Sequence, residues 1–264
     1  MKRLLIQFAL LATVFFGTLF LLRQVNWLSV LKIEKATKSL DENLGKTFWK
    51  LYSETEQEIK DHSITAAIDS LVETLCDDNA IDKTNIKIHI LNKDEVNAFT
   101  LPNNYLVIYT GLIKACDNEA ELLGVLGHEI AHMEKNHVMK KLVKEIGLSV
   151  LISMSSGGSG EAIKEAAKVL SSTAYDRDLE READLASVEY LLKSNIDPEP
   201  FANFLFKLSE NEDDLPEQAF WISTHPESRE RAENIIAYIK GKTIKKNKIL
   251  TPKQWVELKK EIVD

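Results

Sequence analysis

A chain of 264 residues, 44% hydrophobic and 28% charged, is long enough to bury one sizeable core with appendages, and its ten glycines and six prolines argue against disorder or a fibrous repeat. A formal net charge of −8 leaves no basic field for a nucleic-acid backbone, so nucleic acid is excluded as a partner. Two cysteines, Cys76 and Cys116, exclude a disulfide scaffold and a tetrathiolate zinc site; they either pair or lie as two buried thiols.

Residues 4–22, LLIQFALLATVFFGTLFLL, form an uncharged apolar run behind Lys2 and Arg3. About 20 such residues cross a bilayer, whereas a cleavable signal carries a shorter apolar stretch of ~7–15 and a small-residue cleavage site. Arg23-Gln24-Val25-Asn26-Trp27 follows instead. Residues 1–32 therefore predict one N-terminal transmembrane helix, a signal anchor with the rest of the chain outside the cytoplasm, on the periplasmic side. Secretion after signal cleavage is the alternative.

Residues 33–78 place apolar side chains at helical spacing and predict one or two amphipathic helices. From 85 to 113 the period changes to two. Ile86, Ile88 and Ile90 alternate with polar residues, and two β-rich runs flank Pro102-Asn103-Asn104, which predicts a hairpin in a small sheet of about three strands. His89, on the polar side, is read as solvated. Asp117 is read as the cap of a long helix reaching about Leu142, with Glu119 and Glu121 in its first turns. Residues 143–161 are open to three readings: a helical hairpin, a lid or a membrane-touching patch. Residues 162–195 read as one helix, and 199–211, 226–240 and 251–262 as three more, the last with Thr251 as cap and Pro252 in its first turn. The fold class is α+β, mainly helical, divided into the anchor 1–32, a catalytic domain 33–240 and a tail 241–264.

The stretch GVLGHEIAHMEKNH, residues 124–137, carries the chemistry. His128 and His132, four apart on a helix, differ by ~40° in azimuth, so both imidazoles can reach one ion. Glu129 sits ~100° from His128, placed to address a water rather than the metal. Zn²⁺ lowers the pKa of such a water toward ~7, and a carboxylate can then take its proton while hydroxide attacks a peptide carbonyl. Gly124 and Gly127 each cost about 1 kcal/mol against Ala in a helix, which hints that another element packs closely there. His137, ~140° around the same helix from His132, faces elsewhere and is read as structural, bonded to a carboxylate. The third ligand is sought in EREAD, residues 180–184. Glu180 ligates, Asp184 one turn on accepts an imidazole N–H from a ligand histidine, and Glu182 points away. Two His and one Glu leave the fourth position open, the mark of a catalytic site.

Four segments in order, VNAFTLPNNYLVIYTGLI, LLGVLGHEIAHMEKNH, YDRDLEREAD and THPESRER, make the chain resemble the zincin metallopeptidases that include HtpX, the type-1 CAAX prenyl proteases and BepA. Pro102-Asn103-Asn104 replaces the more usual Gly-Gly turn. The resemblance implies one Zn²⁺ per chain on His128, His132 and Glu180, with Glu129 as general base and acid and Asp184 supporting a ligand histidine. It implies that Asn97, Ala98 and Phe99 bind an extended peptide by strand addition. It also implies that His225 sits near the metal, as a regulatory fourth ligand or as a catalytic group assisting the oxyanion, with Arg231 completing the motif. The chain is then a minimal, single-anchored zinc endopeptidase that cleaves misfolded or unassembled envelope proteins. The alternative is a chaperone-like holder of the same fold with latent proteolysis.

Overall fold

The computed structural model describes residues 33–155, 157, 160–210, 221, 224–226, 228–244 and 246–263. The apolar run 4–22 lies outside the described residues, among which no helix is long and apolar enough to cross a membrane. By contacts the chain divides into a unit ending at Asp41 and a second, Glu42–Asp264, which holds everything described below except the start of the first helix.

Helix α1, Ile33–Thr55, runs across that boundary; α2 is His62–Asp78. A three-stranded sheet follows: β1 Lys87–Leu91, β2 Ala98–Leu101 and β3 Tyr105–Tyr109, in the order β1-β3-β2. β2 and β3 form the expected hairpin, Leu101 opposite Tyr105, and β1 adds parallel to β3. Asn103 and Asn104 are both left-handed, φ 61° and 58°, a conformation the short Asn side chain tolerates, so two asparagines serve where a glycine pair would. His89 is not simply solvated. Its ring stacks on Trp49 with centroids 3.6 Å apart, and its Nδ1 lies 2.6 Å from Glu58 Oε1, because α1 and the segment after it cover the polar face of β1.

After α3, Thr110–Ala115, comes α4, Glu119–Glu134. Its cap is Asn118, not Asp117: Asn118 Oδ1 accepts from the Glu121 N–H at 3.1 Å, and the Glu121 carboxylate accepts from the Asp117 N–H at 2.9 Å. α4 is buried on nearly every face, against α8 Arg177–Lys193, α9 Glu199–Glu210 and the hairpin strand β2. The glycines explain the approach. A Cβ on Gly124 would collide with the Phe201 side chain of α9, and one on Gly127 would lie 2.8 Å from Ser187 Oγ of α8. Ser187 Oγ donates to the Gly124 carbonyl at 2.7 Å.

Two helices expected to be continuous are broken. α4 stops at Lys135, Asn136 turns left-handed at φ 55°, and α5, His137–Ile146, sets off in a new direction. The 162–195 helix is α7, Gly160–Ser172, and then α8. Between them Lys141 donates to the Leu170 and Thr173 carbonyls, and the Tyr175 N–H donates to the Thr224 carbonyl at 3.0 Å, so partners outside the helix satisfy its terminal groups. The described residues of 143–161 are largely helical, with α6 at Leu148–Ser155; Leu151 and Met154 point inward while Leu148, Val150 and Ile152 are exposed. α10, Ser228–Ile239, and α11, Pro252–Val263, lie close to their expected ranges, and Thr251 Oγ1 does cap α11 by accepting from the Gln254 N–H at 3.3 Å.

Candidate metal centre

α4 carries His128, Glu129 and His132 into the core, α8 brings Glu180 and Asp184 alongside, and the turn before α10 brings His225. His128, His132, Glu180 and His225 each offer one ligand atom, all within 4.8 Å of one another and all buried. His128 Nε2 lies 2.9 Å from His132 Nε2 and 3.1 Å from His225 Nδ1. Glu180 Oε1 lies 2.9 Å from His225 Nδ1 and 3.3 Å from His132 Nε2. Four donors arranged tetrahedrally about 2.0–2.2 Å from a zinc ion stand ~3.3–3.6 Å apart, and the separations here, 2.9–3.3 Å, are that spacing drawn in by a few tenths of an ångström. The nitrogen–oxygen donor set and its spacing therefore fit one Zn²⁺.

The other nitrogen of each α4 histidine is also held. His128 Nδ1 faces Asp184 Oδ1 at 2.9 Å, which puts the proton on Nδ1 and aims the Nε2 lone pair at the cluster. Asp184 in turn receives Arg231 Nε and Nη2 at 2.8 and 2.7 Å, while Arg231 Nη1 lies 2.8 Å from Glu180 Oε2 and donates to the His225 carbonyl at 3.0 Å. One guanidinium thus ties α8 and the histidine turn together.

Burial sets the protonation of the site. It pushes His132 well below the usual imidazole range and His225 down to about 4, so both are neutral and able to ligate near pH 7. It pushes Glu129 up to about 7. At Glu180 burial acts upward, but His225 and Arg231 outweigh it and hold the carboxyl well below the usual carboxylate range, ionised as a ligand must be. Glu129 Oε1 stands 3.3 Å from His225 Nε2.

His137 is a partial correction. It contributes no atom to the four-donor cluster, yet it does not face away: the break at Asn136 folds α5 back so that His137 Nδ1 lies 3.0 Å from His132 Nδ1. Its Nε2 is 3.4 Å from Glu182, so the carboxylate expected beside it is the one that points away from the cluster. Asn97, Ala98 and Phe99 all lie buried at the start of β2, and the Phe99 ring packs on Tyr52 and Tyr109. The Asn97 carbonyl accepts from the Tyr109 N–H of β3, so by strand alternation the Val96 and Ala98 carbonyls face the other edge. There the Val96 carbonyl accepts from the Trp221 N–H at 3.2 Å, and α7 packs against β2.

Two residues at the site escaped the sequence reading. Trp221 Nε1 donates to Glu129 Oε1 at 3.3 Å, and the Tyr175 ring lies 4.1 Å from that of His132. The signal for both was the motifs: Tyr175 is the first residue of YDRDLEREAD itself, and Trp221 stands just before THPESRER.

Known proteins point the same way. The chain is 29% identical over 250 residues to "Metalloendopeptidase OMA1, mitochondrial" of Bos taurus, covering 83% of this chain and 47% of that protein. It is 30% identical over 166 residues to "Beta-barrel assembly-enhancing protease" of Escherichia coli K12, covering 57% and 34%, and 27% identical over 206 residues to that of Yersinia pestis, covering 72% and 42%. It spans less than half the length of each of these relatives. Peptidase family M48 matches residues 63–239, which take in the helix with both α4 histidines, the Glu180–Asp184 turn, His225 and Arg231, and this chain belongs to that family.

Proposed function

We propose that the chain is a zinc-dependent endopeptidase that hydrolyses peptide bonds of proteins. The observation that carries this reading is the buried quartet His128, His132, Glu180 and His225 with a carboxylate, Glu129, at its rim. His128, His132 and Glu180 hold the ion. A bound Zn²⁺ supplies a Lewis acid that polarises a peptide carbonyl and acidifies water. Glu129 takes a proton from the attacking water and returns one to the leaving amine, a task suited to a carboxyl raised to about 7. Asp184 and Arg231 keep the ligand set aligned. His225 would either complete the donor set or, from its place 3.3 Å from Glu129, offer an N–H to the developing oxyanion. An extended substrate adds along the outer edge of β2, where Ala98 turns its carbonyl beyond the Val96–Trp221 bond, with Asn97, Ala98 and Phe99 shaping the subsites.

The run 4–22 supports a membrane tether, and with it a role in clearing misfolded or unassembled envelope proteins outside the cytoplasm. A second reading, a holder with latent proteolysis, gains support from His225: a fourth protein ligand closes the position that catalysis needs open.

The test is metal content together with cleavage of a casein-type substrate, comparing wild type with Glu129→Gln. The peptidase reading expects stoichiometric zinc in both and cleavage in wild type alone. Cleavage that persists in zinc-loaded Glu129→Gln removes the role of Glu129. Stoichiometric zinc with no cleavage by either favours the holder.

A further inference from the structure

Glu129 is almost wholly buried, and a buried carboxylate with three free torsions acts as a base only if something fixes where its oxygens point. We infer that Trp221 is that positioning residue: its indole N–H holds one Glu129 oxygen, leaving the other presented to the proton it must take. The inference rests on the peptidase reading above.

Trp221 is fully buried, and its Nε1 donates to Glu129 Oε1 at 3.3 Å. The indole is itself fixed from several sides. It stacks on the His225 ring, centroids 4.7 Å apart at 27°, and meets His128 edge-on at 5.6 Å. The Arg231 guanidinium lies over it at 5.0 Å. Its backbone N–H is anchored on the Val96 carbonyl at 3.2 Å. An indole N–H is a donor only, so it cannot take the proton that Glu129 handles, and it holds the same oxygen before and after that transfer. His225 Nε2 also lies 3.3 Å from that oxygen, but the His225 ring is itself one of the four donors, whereas the indole is not committed to the cluster. A Phe would fill much of the same space and stack on the same rings, but it has no N–H to offer.

The experiment has two arms on the full chain. In the first, Trp221→Phe is compared with wild type for kcat, KM, zinc content and far-ultraviolet circular dichroism. A lost hydrogen bond to a charged group corresponds to about a tenfold to hundredfold fall in kcat, with KM, zinc and fold retained. In the second, the four indole ¹⁵N–¹H resonances are recorded, with that of Trp221 identified by its loss in Trp221→Phe. Glu129→Ala moves the Trp221 resonance upfield and leaves those of Trp49 and Trp255 in place. An unchanged kcat in Trp221→Phe, a fall matched by lost zinc, or a Trp221 resonance indifferent to Glu129→Ala each overturns the inference. Wild type that cleaves nothing defeats the peptidase reading instead, and the resonance arm still decides whether Trp221 holds Glu129.

Discussion

Asp184 meets His128 Nδ1 at 2.9 Å while Arg231 grips both of its oxygens, so the imidazole is held in one tautomer and one orientation. Asp184→Asn keeps the shape and removes the charge, leaving the guanidinium less well matched. The expected result is a ~10–100-fold loss of zinc affinity, read by competition with a chromophoric chelator. An unchanged affinity would strip Asp184 of that role. At this scale the sequence was legible where spacing decides which residues share a face: His128 with His132, Glu180 with Asp184, and Glu182 turned away follow from 3.6 residues per turn, whereas the meeting of the two pairs in one cluster does not. It was not legible where a side chain meets one from a distant segment. His89 reads as solvated until Trp49 lies across it, and Trp221 reads as one more aromatic until its N–H is found on Glu129.

Helix ends follow the same division. Periodicity located the helical stretches, and apolar spacing continues through Asn136 and through residues 173–176 without a mark, because the breaks are set by what the freed backbone groups meet in the folded chain. At Asn136 the left-handed turn is what swings His137 against His132. Asn136→Gly should be nearly neutral, whereas Asn136→Val should lose about 1–2 kcal/mol to the strain of that conformation, seen as a lower urea midpoint. Equal midpoints for the two variants would mean the break can be remade elsewhere at no cost. Within α4 the prediction concerns space. Gly124→Ala gains helix propensity but drives its Cβ into Phe201 Cβ and Cγ, atoms too near the backbone to swing aside. Overpacking of ~1–3 kcal/mol should win, lowering Tm by several degrees. A Tm that rises would show that α4 and α9 can separate freely.

The quartet draws its atoms from residues 128, 132, 180 and 225, that is from α4, α8 and the turn before α10, segments with no reason to meet in the unfolded chain. Whatever holds those atoms also holds the elements that carry them, so metal affinity and folding stability are one quantity measured two ways. Without the ion, Arg231 still pairs with Asp184 and Glu180, and the packing of α4 on α8 and α9 is apolar; the fold should survive chelation. What it should lose is the stabilisation that mass action gives to the native state alone, about 4 kcal/mol when free zinc stands a thousandfold above its dissociation constant. For a domain of this size each kcal/mol moves Tm by ~2–4 °C, so removing zinc with a chelator should lower the melting temperature by roughly 8–16 °C, and returning it should restore the loss. Glu180→Ala, which removes the ligand from α8 and leaves three histidines in place, should show a clearly smaller zinc-dependent shift than the wild type. His62→Ala is the control: His62 is exposed at the start of α2, away from the cluster, so that variant should respond to zinc as the wild type does. A wild-type Tm that ignores zinc, or a Glu180→Ala variant that follows it as the wild type does, would mean that these four side chains do not close around the ion.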